Sequence, residues 1–322
     1  MSPRPLPEDL DADPVSIVLD HLDFACRAAG AADLDAPLAQ RLERGEARLH
    51  FVIRGKMEWR PEKVGCPDGG PDSRRLEAGE GLIITGPAAY SLRSLPAGDA
   101  PCGDSGANSA DRATCELLTG EVVYSAMEFP PETRFLPAVW GGSLSDERSR
   151  DLLPELERRS RSSQDPSWHL VGQYVALELG RAHLRGDAAT PEWPGTPLAA
   201  LLRDPQLGPL VGLLIRTVAH GWDAEDLARP LEVGRRAFAG RLRELSDLSP
   251  FELLTVLRMQ RASRHLATPG LSLKQIPKLV GYRSLSALGA AFSRVSSLTL
   301  AESRTLTRAS PWTLAAWDDG LR

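Results

Sequence analysis

Apolar residues recur at helical spacing most clearly after Ser249. In FELLTVLRMQRASRHLA the positions Phe251, Leu254, Thr255, Arg258, Met259, Ala262 and Leu266 fall on one stripe, which predicts a helix running to about Ala267 with its stripe buried. Ser249 supplies the cap, Pro250 fits the first turn and Glu252 stands three residues after the cap. Two similar units flank this helix. In WDAEDLARPLEVGRRAFAGRLREL, Asp223 caps one helix and Phe238, Leu242 and Leu245 form the core face of a second. In SLKQIPKLVGYRSLSALGAAFSRV, Ser272 and Gln275 make a cap pair, Gly281 permits a left-handed turn, and Leu288, Phe292 and Val295 form the buried face.

The front of the chain has a different period. From about Val15 to Trp140 it reads as mostly strand: RLHFVIRG, MEWRP, the apolar run in RRLEAGEGLIITG, and a strand pair in TCELLTGEVVYSAM. Short strands separated by glycine-rich turns predict a small barrel. AGDAPCGDSGANSADRA, from about Ala97 to Ala113, is a flexible loop by composition. From about Asp146 to Gly186 the pattern becomes helical, with Leu170, Tyr174, Leu177 and Leu184 near helical intervals, and GDAATPEWPGTP from Gly186 to Pro197 marks a linker.

The ordered series W-x-x-E-D-L-A, A-F-x-x-R-L-R-E, L-S-P-F-E-L-L, R-M-Q-x-A, S-L-x-x-I, V-G-Y-x-S and A-F-S-R resembles the DNA-binding domain of AraC/XylS-family bacterial transcription regulators. PLAALLRDPQLGPLVGLL looks like the helical lead-in to that domain. H-F-V-I-R-G, L-x-A-G-E-G-L-I-I-T and a tight G-P turn resemble the cupin-like sensor domain of the same regulators. The resemblance implies an α+β multidomain chain: an N-terminal cupin-like β-barrel followed by helices, then an all-α C-terminal domain with two helix-turn-helix units. The expected divisions are a disordered tail at 1–13, the sensor at 14–140, a helical linker and dimerisation region at 141–190, the DNA-binding domain at 191–308 and a C-terminal tail at 309–322. Promoter DNA, a small-molecule effector, RNA polymerase and a second copy of the chain are the partners the resemblance implies. An apolar helix face packed on its own barrel explains residues 146–186 as well as dimerisation does.

Charge sharpens this division. Residues 196–322 carry 17 Lys and Arg against 11 Asp and Glu, a balance of +6, whereas the first 195 residues carry −11 of the chain's total of −5. An acidic front and a basic back fit a sensor joined to a nucleic-acid binder. No run approaches the roughly 20 apolar residues of a membrane helix, and MSPRPLPEDLDADP lacks an apolar signal core, so the chain reads as cytoplasmic.

Candidate chemistry is sparse. Cys26, Cys66, Cys102 and Cys115 lack metal or redox spacing and read as reduced thiols. A metal cupin would present an H-x-H pair, a Glu and a later His. Here His50 stands alone and Tyr90 occupies the region of the later His, so no metal, cofactor or catalytic residue is expected. His50, Trp59 and Tyr90 are candidates for an effector pocket, and core packing explains them equally well.

For DNA, the outward positions of the first recognition helix are Arg236, Ala239, Gly240 and Arg243, with Arg235, Arg236, Arg241 and Arg243 available to phosphates and Arg236 to a base. The second helix points Leu285, Ser286, Gly289, Ala290 and Ser293 outward, with Arg283, Ser284, Ser286 and Arg294 as its contact candidates. Several residues depart from the family pattern. Gly240 replaces a basic residue, Glu232 follows Pro230 where a turn glycine is usual, Pro277 falls inside a helix capped by Ser272, and Thr299-Leu300 stands for Ser-Pro. Two further readings therefore stay open beside the regulator: a repurposed scaffold that binds ligands or proteins, and a metal-independent enzyme.

Overall fold

The computed structural model describes residues 13–22, 25–43, 46–62, 73–96, 115–123, 136–144, 151–160, 167–186, 196–223, 226–227 and 235–309. All but residue 13 of the tail expected at 1–13, all but residue 309 of the tail expected at 309–322, the insert at 97–113, Cys66, Cys102, Pro230, Glu232 and the side chain of Arg235 lie outside the described residues. The chain divides into two compact units, one formed by residues 24–124 and 137–194, the other by residues 1–23, 125–136 and 195–322.

Among the described residues the first unit has nine strands: β1 (Ala25–Asp33), β2 (Leu38–Leu42), β3 (Ala47–Arg54), β4 (Lys56–Pro61), β5 (Arg74–Glu77), β6 (Glu80–Thr85), β7 (Ala88–Leu95), β8 (Glu116–Val123) and β9 (Val139–Ser143). They form a five-stranded sheet in the order β1-β8-β3-β6-β9 and a four-stranded sheet in the order β2-β7-β4-β5, antiparallel throughout. Val52, Leu82, Ile84 and Leu117 of the first sheet pack with Met57, Trp59, Leu76, Tyr90 and Leu92 of the second in one apolar cluster, the interior of the cupin-like barrel. The alternate row of β3, Leu49, Phe51 and Ile53, is also fully buried, on the face that α2 (Leu152–Ser160) and α3 (Trp168–Arg185) cover. Burial on both faces explains why the alternation expected around His50 to Ile53 is incomplete and β3 carries apolar side chains on both of its rows.

Helix α3 lies close on its sheet because glycines meet it. A Cβ on Gly142 would stand 2.8 Å from the Ala182 Cβ, and one on Gly172 would stand 2.6 Å from the Ala29 Cβ. Val175, Leu179 and Leu184 are buried, whereas Leu170 is 62% and Tyr174 37% exposed, so the helix packs on the barrel and leaves one apolar row outward. TCELLTGEVVYSAM does not form a strand pair within the described residues. β8 continues through Gly120, where the missing side chain admits Ala28 O of the neighbouring strand, 2.8 Å from where a Cβ would lie.

The second unit is helical: α1 (Pro14–Leu22), α4 (Pro197–Arg203), α5 (Leu207–Arg216), α6 (Arg235–Ser246), α7 (Pro250–Ala267), α8 (Ile276–Leu279), α9 (Leu285–Ser296) and α10 (Leu300–Ala309). No single described helix is long and apolar enough to cross a membrane. Helix α1, which falls in the stretch read as strand, packs against α5, and the Arg264 guanidinium of α7 donates to Asp20 O at 3.1 Å. Met259, Ala262 and Leu266 of α7 join Ile276, Val280, Leu288, Ala291, Phe292 and Leu300 in one core, where each large side chain withdrawn from water contributes roughly 1.5–3 kcal/mol.

The long helix carries its full capping box. Glu252 N donates to Ser249 Oγ at 3.3 Å and Ser249 N donates to Glu252 Oε2 at 2.7 Å. Its buried surface is wider than the predicted stripe. Leu253, Val256, Leu257 and Gln260 are buried too, while Phe251 is 49% exposed. A single-stripe reading underestimates a helix with partners on more than one side.

Candidate nucleic-acid interface and barrel interior

On α6 the residues Phe238 and Leu242 are buried and Arg236, Ala237, Gly240, Arg241, Arg243 and Glu244 are exposed. Ala239, expected to point outward, is half-buried, because its place on the helix is nearer the core row than Gly240's. A Cβ on Gly240 would meet nothing within 4 Å, so this position opens to solvent. Arg241 has protein partners of its own: its Nε donates to Asp204 Oδ2 at 3.1 Å and its Nη1 to Glu244 Oε2 at 3.0 Å. Asp204 also accepts from Gln206 N and Leu207 N, each at 3.0 Å, and so caps the start of α5. Burial works against its ionisation, but those two amides and Arg241 outweigh it and hold its pKa below the usual aspartate value.

The second unit is assembled by local devices. Ser272 N and Oγ both donate to Gln275 Oε1, at 2.8 and 2.7 Å. Pro277 does not interrupt a helix begun at Ser272. Residues 273–275 form a turn and α8 starts at Ile276, so Pro277 sits in the first turn, where a missing N–H removes no helical bond. Gly281 adopts φ +80 and closes the turn before α9. Thr299-Leu300 also serves: Thr299 Oγ1 accepts from Glu302 N at 3.1 Å and Thr299 N donates to Glu302 Oε2 at 2.8 Å, a second capping box at the head of α10.

On α9 the residues Leu288, Ala291 and Phe292 are buried, and Leu285, Ser286, Ala287, Ala290, Ser293 and Arg294 are exposed. Gly289 is half-buried. Ser284 is the helix cap: its Oγ accepts from Ala287 N at 3.2 Å and lies 3.0 Å from Ser286 Oγ. Arg283 is exposed just ahead of the cap. Arg258, one of the positions on the predicted buried stripe of α7, serves the scaffold. Its Nε donates to Val218 O at 3.0 Å, its Nη2 donates to His220 O at 2.7 Å, and its guanidinium stands over the Tyr282 ring at 5.6 Å. One side chain of the central helix thus ties the segment before the first unit to the turn of the second.

The barrel candidates His50, Trp59 and Tyr90 are all buried. His50 Nε2 and Tyr90 Oη are 2.8 Å apart, the Tyr90 hydroxyl donates to Gln40 Oε1 at 2.6 Å, and Thr119 Oγ1 lies 3.3 Å from His50 Nδ1. The four groups are satisfied together when Thr119 O–H donates to Nδ1, Nε2–H donates to Tyr90 and Tyr90 O–H donates to Gln40. Burial, helped by the charge of Arg48, lowers the His50 pKa to about 3, so its ring is neutral at physiological pH. Gln40 and Thr119 escaped the sequence reading, although each is the direct cross-strand partner of the residue it serves: Gln40 of Tyr90, Thr119 of His50. Strand pairing was the signal that could have found them. Trp59 packs in the same interior cluster. Among the described residues no three His, Cys, Asp or Glu gather as a metal site. Cys26 and Cys115 are buried and unbridged, and burial pushes both thiols up to about 12.

The family model for a helix-turn-helix domain matches residues 227–305, and the model for a cupin matches residues 13–157. The chain joins a cupin domain to an AraC-type helix-turn-helix domain. Within this AraC-type chain the matched helix-turn-helix region holds α6 to α9, and the cupin region holds the barrel. It is 30% identical over 183 residues to the RCS-specific HTH-type transcriptional activator RclR of Escherichia coli strain K12, covering 55% of this chain and 62% of that one. It is 34% identical over 142 residues to a putative AraC-like transcription regulator of Streptomyces lividans, covering 44% of this chain and 45% of that one. The chain thus spans between about half and two thirds of the length of these curated relatives. Among solved structures, ToxT from Vibrio cholerae strain SCE256 is 12% identical, with a TM-score of 0.38 over 88% of this chain and 95% of that one.

Proposed function

We propose that this chain is a transcription regulator that binds promoter DNA mainly through α6 and senses a small molecule or partner in its cupin-like barrel. The observation that carries the reading is the outward face of α6, where Arg236 and Arg243 stand exposed opposite the buried Phe238 and Leu242, with Arg241 exposed at the flank in its ion pair with Asp204. A helix anchored on one side and cationic on the other has what a recognition helix needs for phosphates and for base edges. The AraC-type domain supports DNA as the partner, and the activator description of the Escherichia coli relative supports regulation of transcription as the activity.

An organic effector with hydrogen-bonding groups would enter the barrel by exchanging with the His50, Tyr90, Gln40 and Thr119 network. The exposed Leu170 and Tyr174 row on α3 would pair two copies of the chain. RNA polymerase contact and a cytoplasmic location belong to the same reading.

The test is DNA binding by Arg236→Ala and Arg243→Ala. Each is expected to weaken binding to the chain's own upstream region and to flatten the salt dependence by about one unit of slope. Wild-type affinity and slope in both variants would overturn the assignment of α6 as the DNA contact.

A further inference from the structure

The exposed face of α9 differs in kind from that of α6. Its outward side chains are Leu285, Ser286, Ala287, Ala290 and Ser293, with Leu285 36% exposed in the first turn. None carries an amide, and the row holds no guanidinium; exposed Arg283 and Arg294 lie ahead of the helix and in its last turn. Bidentate reading of guanine by Arg or Lys, or of adenine by Asn or Gln, is therefore not open to this row. Ser286 Oγ already shares a hydrogen bond with Ser284 Oγ, which caps the helix. The outward row is left with methyl groups and short hydroxyls.

In the major groove one base alone offers an apolar group, the C5-methyl of thymine. Short side chains also let a helix approach the groove floor closely. We propose that α9 reads thymine methyl groups through Leu285 and Ala290, with Arg283 and Arg294 on the flanking phosphates. The second half of the operator is then selected for thymines at fixed positions rather than for guanine. This rests on the promoter-binding reading above. The positive balance of residues 196–322 and the continuity of α9 with the AraC-type domain favour DNA as the occupant of this face.

Replacing thymine by deoxyuridine removes the methyl group and nothing else. The segment of the chain's own upstream region that the full-length protein protects would be synthesised with deoxyuridine in one half at a time. In the half that α9 contacts, binding is expected to fall about fourfold for each methyl in contact. Leu285→Ala is expected to shrink that loss while keeping the sensitivity of the other half. Sequence-specific binding that is equal for thymine and deoxyuridine duplexes in both halves would overturn the methyl reading and leave the regulator reading standing. Unmodified upstream DNA bound no better than unrelated DNA would overturn both.

Discussion

His50 Nε2 and the Tyr90 hydroxyl, 2.8 Å apart, join the two sheets of the barrel through its interior, each backed by a cross-strand partner in its own sheet. Removing the hydroxyl leaves buried His50 Nε2 and half-buried Gln40 Oε1 without their partner. Tyr90→Phe is therefore expected to destabilise the barrel by about 1–3 kcal/mol, read as a lower midpoint in urea unfolding followed by barrel tryptophan fluorescence. An unchanged midpoint would mean that the network contributes nothing net.

The same network sets a pH dependence. The folded pKa of His50, about 3, lies below the ordinary value of 6.5, so the unfolded chain binds the extra proton. The stability from neutral burial is present above 6.5 and declines as pH falls toward 3. Between pH 7 and pH 5 the loss is on the order of 2 kcal/mol, and His50→Gln is expected to remove that share of the slope. A variant with the wild-type pH profile would contradict this.

Gly240 can be improved in two ways. Its position is open, so Gly240→Ala is expected to stabilise the helical unit by about 0.5–1 kcal/mol, through propensity alone. Gly240→Lys adds a cation to the outward face of α6 and is expected to tighten DNA binding and steepen its salt slope by about one unit. Thermal melts and a salt titration check the pair; a Lys variant with unaltered slope would place this position away from DNA.

Gly281 allows no such change. A Cβ there would stand 2.8 Å from the Arg258 guanidinium, and φ +80 is a conformation L side chains rarely adopt. Gly281→Ala is expected to cost at least about 1–2 kcal/mol, with DNA binding falling alongside. A melt as stable as that of the wild type would refute the Arg258 clamp.

What the sequence disclosed and what it withheld divide by range. Ser249 and Glu252 are three residues apart, and their box, the helix after it and the cationic face of α6 are all legible locally. Pro277 would break a helix beginning at Ser272 and is harmless in one beginning at Ile276, and the start is set by the turn at 273–275. β1, ACRAAGAAD, has small residues and no alternation, so it becomes a strand only through its pairing with β8. The Arg258 clamp and the ion pair of Arg241 with Asp204 link positions some 40 residues apart, and the network of His50 reaches 69 residues to Thr119. Such partners emerge when the chain folds back on itself.

The most direct measurement is binding of the full-length protein to its own upstream DNA and to unrelated DNA of equal length, across a salt series. The account predicts a preference for the upstream DNA that persists near physiological salt, with a log-log slope set by the phosphate contacts of α6 and α9. Weak binding, indifferent to sequence and abolished by salt in the presence and absence of cell extract as effector source, would contradict it.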